Sequence, residues 1–163
     1  MGATEQEVER YRLAQRVKSS ANWFYWIAGL SVVNSIVVHT GSAWSFIAGL
    51  GITQLIDAIG AKMGPAANGI AVVFDLLAAG LFVLLGYMAH RHRAAFIVGT
   101  ALYAFDGLIF IAAGEVIGLL FHAFVIYCIV LGYVASGKLL KLGPSLAQPI
   151  PANAIAPDST GSS

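Results

Sequence analysis

The sequence predicts an all-α polytopic membrane protein: a four-helix transmembrane bundle with an extra interfacial or re-entrant helix on the outer side. Three observations predict it. Of the 163 residues, 58% are hydrophobic and 10% charged, against roughly 25% charged in an average soluble domain. The apolar residues gather in runs of about 20, long enough at about 1.5 Å per residue to cross a hydrocarbon core of about 30 Å. The basic residues fall between those runs in a pattern that suits one membrane face.

Residues 1–20 read as an amphipathic helix on the cytoplasmic surface. Glu5, Glu7 and Glu9 precede Arg10, Arg12, Arg16 and Lys18, an order that complements the helix dipole. The first span covers about 21–40 and opens on Trp23, Phe24, Tyr25 and Trp26, rings suited to an interfacial belt. Residues of about 45–63 are apolar enough to tempt a fifth crossing, and charge decides against it. With four crossings, Lys62 stands alone on the outer side, opposite Arg10, Arg12, Arg16, Lys18, Arg91, Arg93, Lys138 and Lys141. A fifth crossing would split the basic residues almost evenly, against the bias of cytoplasmic loops. The segment therefore reads as an interfacial or re-entrant helix with Gln54 and Asp57 on one face, ended by Pro65. Further spans follow at about 69–89, 94–113 and 115–136. The tail, 143–163, contains Pro144, Pro149, Pro151 and Pro157 with almost no charge, a composition expected to be disordered on the cytoplasmic side.

The charged opening argues against a removable signal peptide. Cys128 is the single cysteine, so no intramolecular disulfide is expected. The basic residues are too dispersed for a nucleic acid partner; the partner they imply is the lipid bilayer. The turn His90-Arg91-His92-Arg93 reads as the basic loop that sets topology, with anionic lipid binding as its alternative. The absence of retention and lipidation signals suits a bacterial cytoplasmic (inner) membrane with both termini inside.

The informative residues are polar ones inside the apolar runs. Asn34, Asp75, Asp106 and His122 each fall six or seven residues from the predicted outer end of a span, roughly 9 to 11 Å deep at helical rise. Helical phase gives them small neighbours: Ala71, Ala78 and Ala79 around Asp75, Gly99 and Tyr103 beside Asp106, and Gly118 and Glu115 on the stripe of His122. Small faces are where membrane helices approach one another, so all four groups are expected to point inward. An Asp at mid-membrane costs about 2.5 to 3.5 kcal/mol on insertion scales, which demands a partner or a purpose.

That constellation supports a transport component with a buried Asp/Asp/His cluster, in which Gln54 and Asp57 form a vestibule. Four helices rarely enclose a pore, so transport would require a homo-oligomer or a membrane partner. The alternative is a structural or accessory subunit whose cluster only holds helices together. Two carboxylates and an imidazole, Asp75, Asp106 and His122, would also suit Zn, Fe or Mn, though none of them shares a helical i, i+4 ligand spacing. An intramembrane enzyme is the least supported reading, for no activated nucleophile, phosphate loop or dinucleotide fingerprint occurs, and no cofactor is assigned. His39 is expected among the head groups. Water access discriminates these readings: a wet funnel favours transport, a dry and hydrogen-bonded cluster favours structure.

Overall fold

The computed structural model describes residues 3–39 and 50–143, and all the elements among them are helices: α1 (Ala3–His39), α2 (Gly51–Met63), α3 (Pro65–Ala89), α4 (Arg93–Ala113) and α5 (Val116–Lys141). The described residues are thus all-helical, as the sequence predicts. Three of these helices are long and apolar enough to cross a membrane, over Gly69–Ala89, Arg93–Ala113 and Val116–Lys141. Their outer faces carry large exposed apolar side chains such as Leu77, Phe105, Leu120 and Tyr127, the surface a lipid-facing helix presents.

α1 is one unbroken helix of 37 residues. The expected boundary near residue 20 is absent because Gln15 to Asn22 contain no Gly or Pro to break it, and Ser20, Ala21 and Phe24 are buried in the core. Residues 3–20 are therefore the first half of α1 and lie beside the end of α5. Arg10 fastens that arrangement: its guanidinium donates to the Leu142 carbonyl at 3.1 Å and to that of Gly143, where the terminal carbonyls of α5 gather partial negative charge. We expect Arg10→Ala to cost about 1 kcal/mol or less and to act locally. Amide hydrogen exchange should quicken in the first turns of α1 and the last turn of α5, with the spans unchanged.

α1 packs chiefly between α3 and α5, and α4 packs mainly on α5. An aromatic ladder ties the bundle together. Phe24 of α1 meets Phe82 of α3 and Phe96 of α4 at centroid separations of 6.3 and 6.1 Å, and Phe82 meets Tyr103 edge-on at 6.1 Å. Ring quadrupoles favour such tilted and edge-on contacts. Phe24 is accordingly a core residue, a correction to the expected four-ring interfacial belt, while Tyr25 and Trp26 stay exposed. Gly99 lets the ring in: a Cβ there would stand 2.2 Å from Phe24.

α2 follows a different plan. Gly64, at φ 98°, and Pro65 at the first position of α3 turn the chain sharply between the two helices, a conformation Gly adopts without penalty. α2 then lies mainly on α3, with further contacts to α1 and α4. Ile52, Leu55, Ile59 and Met63 make its exposed stripe, while Gly51, Thr53 and Gly60 face the bundle. The predicted residues 45–49 and the tail at 144–163 lie outside the described residues.

Candidate functional site

The site begins where α2 begins. The Leu50 amide donates to Ser31 Oγ at 3.1 Å, and Ser31 stands about eight residues, or roughly 12 Å, below the last residue of α1. The Gly51 and Ile52 amides donate to Asp106 at 2.7 and 2.8 Å, one to each carboxylate oxygen, and Asp106 is seven residues, roughly 10 Å, from the end of α4. The N-terminus of α2 is thus sunk between other helices instead of lying level with their ends.

A helix end so placed has amides that need acceptors. Leu50, in the N-cap position, has no side chain able to supply one. Asp106 does so across the fold, 55 residues away from Gly51 in sequence. Charge-assisted bonds of this kind are shorter and stronger than neutral ones, and the positive end of the helix dipole adds to them. Thr53 Oγ1 closes the turn by donating to the Leu50 carbonyl at 2.8 Å.

His122 completes the centre. Its Nε2 meets Asp106 Oδ2 at 2.9 Å and its Nδ1 meets the Gly118 carbonyl at 3.0 Å. A carbonyl can only accept, so Nδ1 donates to Gly118, and Nε2 faces the Asp106 carboxyl group. The imidazole lies flat on Tyr103, with centroids 4.2 Å apart and planes 9° apart, and Phe110 leans on it at 4.6 Å. Asp106 is 5% exposed and His122 1%. Gly107 makes room for the ring, since a Cβ there would stand 3.3 Å from it.

Asp75 sits elsewhere. It is 2% exposed and accepts a hydrogen bond from the Ser35 hydroxyl of α1. The two residues help line a crevice of about 280 Å³ between α1 and α3, whose other walls are Val32, Ile36, Val72 and Leu76. Asn34 is fully buried on α1, with Ser31 one turn before it.

The structure therefore buries Asn34, Asp75, Asp106 and His122, as helical phase predicts, and joins Asp106 directly to His122. It does not gather Asp75, Asp106 and His122, the set that an alternative metal site would use: among the described residues, no group of three His, Cys, Asp or Glu side chains could hold a metal ion. Glu115 stands outside the cluster, exposed at the N-cap of α5 with φ −88° and ψ 87°. Its backbone is not helical, so the seven-residue phase that aligned it with His122 does not apply. Gln54 is half-buried on α2; the side chains of Asp57 and His39 lie outside the described residues. Ser31 and Ser35 are small polar residues of a kind common in membrane helices and carry no sequence signal of their partners, and the backbone donors Gly51 and Ile52 carry no sequence signal for an acceptor on α4. No family model, curated protein or solved structure matches the chain.

Proposed function

We propose that the chain crosses the bilayer four times, through α3, α4, α5 and the apolar second half of α1, with α2 re-entering from the outer side. Its role in this reading is that of an accessory membrane subunit, whose polar centre holds the re-entrant helix in place. The observation that carries the reading is Asp106: both carboxylate oxygens are engaged by α2 amides and one also by His122, at a buried position. Backbone without helical partners is tolerated at membrane depth only where protein satisfies it, and Asp106 with Ser31 meets that requirement. The basic ends of α1 and α5 and the basic α3–α4 turn support one cytoplasmic face carrying both termini, in a bacterial cytoplasmic membrane. Proteoliposomes provide the test. Wild-type protein should show no proton or ion flux that Asp106→Asn removes; flux abolished by that change in a protein still folded would overturn the reading.

A second reading, a transport component, is favoured by Asp75. A buried carboxyl that helps line an apolar-walled crevice between α1 and α3 is of the kind that marks proton or cation routes in membrane bundles. A hydrophobic carbodiimide in intact membranes should then label Asp75, read by peptide mass spectrometry. Asp75→Asn should lose the label and Asp106→Asn should keep it. Labelling at Asp106 alone, or at neither residue, would remove this reading.

A further inference from the structure

The opposite end of the bundle carries a second cavity. It has a volume of about 350 Å³, and His90, Arg91, Arg93 and Ser136 form its polar wall, with Leu139 and Leu140 among its apolar lining. No carboxylate lines it among the described residues, so its basic charge is not neutralised within its walls. Both arginines are held by aromatic rings instead of extending freely. The Arg91 guanidinium lies 5.3 Å from the centre of the Tyr87 ring, and that of Arg93 lies 3.9 Å from the Tyr133 ring while Nε donates to the Tyr133 carbonyl at 3.3 Å. Cation–π contact orients a guanidinium while leaving donors for an anion.

We propose that this cavity binds the headgroup of an anionic phospholipid, its phosphate on Arg91 and Arg93 and the start of an acyl chain along Leu139 and Leu140. The placement fits that ligand. The arginines flank the turn between two membrane-length helices, the level at which phosphates lie. One wall is basic and another apolar, matching a molecule with a charged head and a hydrocarbon tail. Basic pockets at helix ends on the cytoplasmic side recognise lipid head groups by these means.

Binding to the full-length protein in neutral detergent provides the test, with short-chain phosphatidylglycerol, short-chain phosphatidylcholine and inorganic phosphate as probes and native mass spectrometry as the readout. Phosphatidylglycerol should bind, and the double variant Arg91→Gln/Arg93→Gln should weaken it about tenfold or more. Arg91→Gln alone, which leaves the Arg93 contacts to Tyr133 intact, should weaken it less but measurably. The double variant Lys138→Gln/Lys141→Gln removes the same charge near the same end of the bundle from outside the cavity, and should leave binding within about twofold. Equal losses in the two double variants would show diffuse attraction and overturn the proposal. So would equal binding of the two lipids, or inorganic phosphate competing as well as phosphatidylglycerol does.

Discussion

Replacing Asp106 with Ala should destabilise the folded bundle by about 3 to 5 kcal/mol, because it leaves two amides at the buried start of α2 without their acceptor. The change strips the acceptor from the Gly51 and Ile52 amides and the partner from His122 Nε2 at once. Each buried donor so orphaned costs about 1 to 3 kcal/mol, and at 5% exposure water cannot readily replace the carboxylate. Asp106→Asn keeps one acceptor but turns an amide N–H₂ toward donors, so it should fall between Ala and wild type. Unfolding in mixed detergent micelles measures the loss. A second readout separates unlatching from general weakening: with a Cys at exposed Leu55 on α2, alkylation by a water-soluble maleimide should accelerate in Asp106→Ala before the spans unfold. Glu115→Ala, at an exposed position, should change stability by less than about 0.5 kcal/mol. An Asp106→Ala protein as stable as wild type would show that the carboxylate does not anchor α2.

The next largest effect is expected from Gly118→Ala. An added Cβ would stand 2.3 Å from the Phe110 ring, and that ring has little room to retreat. Its other side meets Gly51, where a Cβ would lie 2.8 Å away, and it also leans on His122 at 4.6 Å. Phe110 is thus a wedge between the start of α2 and α5. Overpacking of this kind costs about 1 to 3 kcal/mol, whereas Gly→Ala in an open helix position stabilises by up to about 1 kcal/mol. Gly80, with nothing within 4 Å of its would-be Cβ, is the matched control: Gly80→Ala should be neutral or stabilising while Gly118→Ala destabilises and loosens α2. Equal unfolding behaviour in the two variants would refute the wedge.

Much of the scaffold was legible because membrane insertion writes itself plainly into composition. Runs of apolar residues bounded by charge, Gly or Pro marked α3, α4 and α5 to within a few residues, and the cost of a carboxylate in hydrocarbon marked Asp75 and Asp106 as inward-facing. Helical phase failed where the backbone was not helical, at Glu115, and it could not tell a ring in the core from one in the head groups, as Phe24 shows. α2 was ambiguous for a related reason. Its amphipathic pattern says that one face is apolar, but depth is set by what satisfies its first amides.

Local chemistry along the chain, then, determined that this is a helical membrane protein and which polar groups must be buried, because both follow from transfer free energies of single residues and short runs. Tertiary structure alone decided how those groups are divided. Asp106 and His122 meet at the buried start of α2 while Asp75 turns to Ser35 beside an apolar crevice. Hydrogen bonds between residues 16 to 55 positions apart depend on how helices pack in three dimensions, and no one-dimensional pattern records that.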